Sequence, residues 1–297
     1  MNSLLVFLAQ VITAAAPLVL AATGGVLSER AGVATIALEG YLLAGAFGAA
    51  AGALATGSAF VAVIAAMALG AVLGAVFAWA TVTLRANAIV TGVAVNLLAA
   101  AGTRVALKVL YDSASNSPPL LERAARTGSL GMVSLREALS SPPVWLCPVV
   151  VLGAHVLLTR SVFGLRVTAC GEHPDAARSQ GVDVDRVRWG ALVLGASLAA
   201  LGGAQLTLHQ HEFVAYMSGG RGFLALAAVI LGRWRPFGAA RWAVAIGALA
   251  ALEATLPALL GGRFQVPSAV LQGLPFALTL LAVVGTVGRS RAPAALR

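Results

Sequence analysis

Charged residues are scarce in this sequence. They make up 10% of 297 residues, while 59% are hydrophobic, and mean hydropathy is +0.90. A water-soluble domain carries about 25% charged residues, so there is too little polar surface here to coat a globule. Lysine is nearly absent: Lys108 is the one lysine among 20 cationic residues, and the rest are arginine. The net charge of +9 does not signal nucleic acid, because the arginines stand at the ends of apolar blocks and form no stripe. That placement reads as topology information, with cationic loops kept on the cytoplasmic side. Cysteine is reduced to Cys147 and Cys170, expected on opposite membrane faces and so unpaired. There is no phosphate-binding loop of the G-x-x-x-x-G-K-[ST] type and no nucleophile elbow, which excludes a nucleotidase or a serine hydrolase. Strand-like alternation is missing, which excludes a membrane β-barrel. The N-terminus "MNSLLVFLAQ" has no basic n-region and reads as a first membrane segment, not a cleaved signal.

What is present is a series of apolar blocks, at 4–27, 33–55, 59–83, 88–110, 143–160, 188–210, 213–232, 237–260 and 264–287. Several reach the roughly 20 residues that cross a bilayer core as a helix. The chain is therefore an all-α, polytopic membrane bundle. The densest cation clusters are "RSVFGLR" with the loop 171–189, "GRWRPFGAAR" and "GRSRAPAALR". Placing them together in the cytoplasm puts the C-terminus inside, "LRAN" and "SERAG" inside, the polar stretch 111–143 outside and Met1 outside. Segments 188–210 and 213–232 then pair as one hairpin, and 237–260 and 264–287 as another.

Two blocks look broken. Glu39-Gly40 interrupts 33–55, and "SGGRG" (218–222) interrupts 213–232. The ten apolar residues after the second break span about 15 Å as a helix, half of a core about 30 Å thick. Unwound backbone at that depth is tolerated only against a cavity or buried protein. The pattern predicts that "SGGRG" ends one helix and starts a half-length one, with Arg221 at the break.

Glu39 is the most informative single residue. A carboxylate deep in a membrane helix costs about 2.5 to 3.5 kcal/mol, so it must face protein or water. Either it touches a solute or a proton, or it is a structural acid, bonded to backbone at a neighbouring broken helix or neutralised by an arginine. Asn96 also needs a buried partner, as packing glue or as a solute contact. Asn87 flanks the same block, and Thr35, Thr91, Gln205 and Ser218 are similar but weaker candidates; the candidate translocation path is Thr35, Glu39, Asn96, Gln205, Ser218 and Arg221. His209 and His211 in "HQHEF" are two apart at a helix end and point in different directions, so the stretch reads as an outer turn and no metal site is expected.

The loop "GEHPDAARSQGVDVDRVRW" (171–189) is the longest polar run flanked closely by apolar blocks. "HPDAARSQG" reads as a short surface helix: Pro174 suits its first turn, Asp175 its N-terminal dipole and Gly181 its left-handed stop. Ala176 and Ala177 give it a small face that fits a partner's groove. A stand-alone channel has no use for such an insert; a subunit pushed by a soluble motor does.

Four stretches together resemble the permease subunit of ATP-binding-cassette importers, in the branch for nucleosides and simple sugars. They are "LSERAGVATIALEGYLLAGAFGA", "ANAIVTGVAVNLLA", "FGLRVTACGEHPDAARSQGVDVDRVRW" and "GGRGFLALAAVILGRWRPFGA". Branched-chain amino-acid permeases are more distant relatives. The resemblance implies a single permease domain over 1–297, with eight to ten membrane segments, an extracytoplasmic loop at 111–143 and a cytoplasmic coupling loop at 161–188. It maps Gly171, Glu172, Pro174, Ala176, Ala177 and Gly181 onto a helix that docks on an ATPase. It implies a separate ATPase that uses ATP and Mg, a second permease (a paralogue or a copy of itself), an extracytoplasmic solute-binding protein and a bacterial inner-membrane location. No cofactor is expected on this chain, and no catalytic residue. The family's usual Asn and Gly before Glu-Gly are Thr35 and Ala37 here, which removes the usual basis for a substrate contact there. The alternatives are a permease of the same design for another solute, such as a branched-chain amino acid, and a stand-alone carrier or channel.

Overall fold

The computed structural model describes residues 3–120, 142–259, 268–286 and 292–296. Among these the chain forms helices and no strand: α1 (Ser3–Arg30), α2 (Leu38–Thr56), α3 (Ala59–Ala78), α4 (Ala88–Tyr111), α5 (Pro142–Arg160), α6 (Val162–Glu172), α7 (Pro174–Ser179), α8 (Val184–Gln210), α9 (Arg221–Leu231), α10 (Pro236–Leu259) and α11 (Ser268–Thr286). Six of them, α1 to α5 and α8, are each long and apolar enough to cross a membrane. The protein is an all-α, multi-pass membrane bundle. Most of the expected extracytoplasmic loop, residues 121–141, lies outside the described residues, as do 260–267, the join between the last two blocks.

The bundle is held by small residues. Hydrocarbon surroundings give apolar helices no hydrophobic drive to associate, so contact depends on close backbone approach. α8 is the central element. Gly24 of α1 lies against the backbone of Gly195, and Gly45 of α2 lies against the carbonyl of Ala200. Gly203 of α8 in turn lies against the carbonyl of Leu42. A Cβ at any of these glycines would overlap the facing backbone. Thr207 then donates to the carbonyl of Ala46 at 2.8 Å across the same crossing. α1, α2 and α8 are largely buried, whereas α4 and α5 expose most of their apolar surface.

Two departures from the expected layout follow from local chemistry. The stretch 213–220 is not the end of a helix. α8 stops at Gln210, with His211 left-handed (φ 57°), and the chain descends through turns in which Tyr216, Gly219 and Gly220 have positive φ. The half-length helix then starts at Arg221, as expected. The polar insert 161–188 is mostly helical: α6 folds back on α5, with Gly164 against the carbonyl of Leu157 and Ser161 capping Gly164 N at 2.9 Å. α8 already begins at Val184, where Asp183 caps Arg186 N at 3.0 Å.

Candidate functional site

The two breaks in the sequence meet in space. The Glu39 carboxylate lies in the first turn of α2 and accepts the backbone N–H of Gly220 at 2.8 Å and of Gly222 at 2.7 Å. It caps the N-terminus of α9, whose leading N–H groups have no partner within the helix, and it sits at the positive dipole ends of both α2 and α9. Gly222 is required here, because a Cβ would overlap the backbone of Glu39. Arg221 folds back, donating to the carbonyls of Met217 at 2.8 Å and Ser218 at 3.3 Å. Glu39 therefore faces protein, and the structural member of its two readings describes its bonds.

Asn96 does the same on the other side of the break. Its side chain accepts Gly40 N at 2.7 Å and donates to the carbonyl of Ile36 at 3.0 Å. It clamps α4 to the unwound entry of α2. Asn87 caps α4 itself through Ile89 N and Val90 N, and Thr91 bonds back to its carbonyl. Thr35 is buried away from these groups: its N–H donates to Glu29 and its hydroxyl to the carbonyl of Val33.

Gln205 is different. It is fully buried, and among the described residues neither its amide nitrogen nor its carbonyl oxygen has a hydrogen-bond partner. It lines a cavity of about 250 Å³ between α1, α8, α9 and α10, together with Gln10, Thr13, His209, Gln210 and Arg221. The Thr13 hydroxyl is also buried without a partner. Unpaired polar atoms around a cavity are costly unless something occupies it. Of the expected path residues, Gln205 and Arg221 share this cavity. Glu39 and Ser218 join it only through the α9 terminus, while Asn96 and Thr35 lie elsewhere. Gln10 and Thr13 were not singled out from the sequence, although their spacing of three puts them on one helical face.

The second candidate region is the end of the bundle that carries α7. Glu29 accepts the Trp234 indole N–H at 2.6 Å, and Arg30 donates to the Trp234 carbonyl at 2.9 Å. Arg188 donates to the carbonyl of Ala31 at 3.1 Å. Ala294 N donates to Glu172 at 3.3 Å, so the C-terminal turn gathers at this same end. "SERAG", the coupling-type loop and "GRWRPFGAAR" thus form one knot. Trp234 reaches Glu29 from a left-handed conformation (φ 53°), following Arg233 at φ 57°. That contact, 205 residues apart in sequence, could not be read from either motif alone.

α7 has the expected anatomy: Pro174 at its first position, Asp175 in its first turn and a positive φ of 79° at Gly181. One expectation is corrected. Ala177 does not face outward; it is buried in the chain's own core. The reason is the sharp return after Gly181, where Val182 N bonds back to the carbonyl of Ala177 at 3.0 Å. Ala176 is the exposed alanine of the pair. Gly171 is also internal, against the carbonyl of Arg30. Cys170, beside it, is buried, and burial pushes its thiol pKa up. Both cysteines are free.

Comparisons with known proteins identify relatives of this chain. The guanosine ABC transporter permease protein NupQ of Bacillus subtilis is 32% identical, over 95% of this chain and 92% of its own length. The nucleoside ABC transporter permease protein NupC of Lactococcus lactis is 32% identical, over 99% of this chain and 96% of its own. A glucose ABC transporter permease protein of Haloferax volcanii is 28% identical, over 76% of this chain and 63% of its own. No solved structure matches. A family profile described as "Branched-chain amino acid transport system / permease component" covers residues 7–284, and the chain belongs to that family.

Proposed function

We propose that this chain is the membrane-spanning subunit of an ATP-driven importer and forms the path for a nucleoside or a related simple sugar. The observation that carries the solute class is the near full-length similarity to the guanosine and nucleoside permeases. The chain contributes passage and coupling; ATP and Mg are used by a separate ATPase. A second permease and an extracytoplasmic solute-binding protein complete the assembly in a bacterial inner membrane, with the α7 end and the C-terminus cytoplasmic. α7 is the piece that docks on the ATPase, through Pro174, Ala176 and the residues around them.

The cavity at Gln205 is the proposed solute contact. A nucleoside or sugar is neutral and rich in hydroxyl and ring nitrogen groups. A buried amide and hydroxyl, flanked by two more glutamines, a histidine and the Arg221 guanidinium, supply both donors and acceptors for such a solute.

The test is uptake by the assembled transporter in cells deleted for this chain and complemented with it. Labelled guanosine, glucose and leucine are compared in competition. Nucleoside or sugar uptake that requires both this chain and a functional ATPase supports the reading. Uptake of leucine alone, or uptake that persists with an inactive ATPase, overturns it.

A further inference from the structure

We propose that the cleft between α5 and α10, at the end of the bundle that carries α7, binds the phosphate headgroup of an anionic membrane lipid. The cleft has a volume of about 690 Å³, and its lining includes Arg30, Arg233, Arg235, Arg241 and His155 but no carboxylate among the described residues. Arg235 and Arg241 are exposed and enter no ion pair among the described residues. Arg235 and Arg241 thus bring two exposed guanidiniums to this opening, and planar guanidinium is matched to phosphate oxygens.

The surroundings select a lipid over a soluble anion or an acidic protein. Leu158 and Leu231 form the inner wall, and Phe237 and Trp242 stand exposed at the mouth. The His155 and Phe237 rings stand against each other on one side, with centroids 4.8 Å apart. Beyond the mouth, Leu152 and Val156 on α5 and Val244 on α10 are exposed and apolar. A headgroup in the cleft therefore leaves its acyl chains along an apolar flank. Arginine with aromatic rings at the membrane interface is the composition that recognises anionic headgroups.

The experiment uses the complete transporter purified in detergent, and native mass spectrometry after incubation with phosphatidylglycerol or phosphatidylcholine. Wild type is expected to retain phosphatidylglycerol in preference to phosphatidylcholine. Each arginine near an anionic surface contributes about fivefold, so R235Q/R241Q is expected to lower phosphatidylglycerol retention roughly 25-fold. R235K/R241K keeps the charge and should retain most of the binding. Arg104→Gln, beside Tyr216 at the opposite end, should change nothing. An unchanged elution profile shows that the glutamine variant is folded. A second measurement needs no variant: wild type in phosphatidylglycerol nanodiscs should melt higher than in phosphatidylcholine nanodiscs. Equal retention by wild type and R235Q/R241Q, or equal melting in the two nanodiscs, overturns the proposal. Full displacement of lipid by millimolar inorganic phosphate overturns it in favour of a soluble anion.

Discussion

Two residues show how differently a buried polar group can be used in this bundle. Glu39 is fully engaged by Gly220 N and Gly222 N. Hydrogen bonds to a charged group contribute about 1.5–3 kcal/mol each. Glu39→Leu removes both and leaves the α9 terminus uncapped, so it should cost about 3 kcal/mol or more and sharply reduce accumulation. Glu39→Gln keeps one acceptor oxygen and should cost roughly half as much. Melting of the two variants in detergent checks the order, and equal melting to wild type would remove the capping role. Gln205 is the opposite case, since its amide has no hydrogen-bond partner among the described residues. Replacing an unsatisfied polar group by an apolar one of similar volume is nearly neutral or stabilising. Gln205→Leu should therefore leave melting unchanged or raise it while uptake falls at least about fivefold, the loss of roughly 1 kcal/mol of contact. A fall in melting together with full uptake would make Gln205 a structural group.

At the scale of the element, the tight crossing of α2 and α8 governs whether the bundle forms. Gly45 admits no Cβ because the Ala200 carbonyl occupies its place, whereas Gly102 on α4 has open space around it. Gly45→Val should cost about 3 kcal/mol or more by overpacking and abolish accumulation. Gly102→Val should be tolerated, because the exposed helix loses only a glycine. Quantifying full-length protein in membranes separates the two. Much of the element layout was legible: the glycines of "SGGRG" predicted the half-length α9, and Pro174 with Gly181 predicted α7. Three things were not. The turns at 213–220 are apolar enough to resemble a helix, and only the positive φ values betray them. The partners of Glu39 lie 181 and 183 residues away, beyond any local pattern. And the inward face of a helix as short as α7 depends on the return at Val182, so the sequence could not say which of two adjacent alanines is buried.

For the whole molecule the question is sidedness and coupling. The segments carrying Arg30, Arg188, Trp234 and Ala294 meet at one end, the end proposed here to face the cytoplasm. A single cysteine at Ser179, which is exposed on α7, should react with an impermeant thiol reagent in inside-out vesicles and not in intact cells. Reaction from outside would invert the molecule. Coupling can then be tested with the two alanines of α7, because the fold gives them different duties. Ala177 is only 6% exposed, so Ala177→Trp overpacks the chain's own core at about 1–3 kcal/mol and should lower melting whether or not a motor binds. Ala176 is exposed, so Ala176→Trp touches little of its own chain and costs under about 1 kcal/mol in helix propensity. If α7 seats in a groove of the ATPase, Ala176→Trp should be made at normal levels, melt normally, lose the ATPase in a pull-down and lose uptake. If nothing docks there, Ala176→Trp should keep uptake within about twofold, a difference worth under 0.5 kcal/mol. That second result would make α7 a solvated connection and leave the transporter to couple through some other surface.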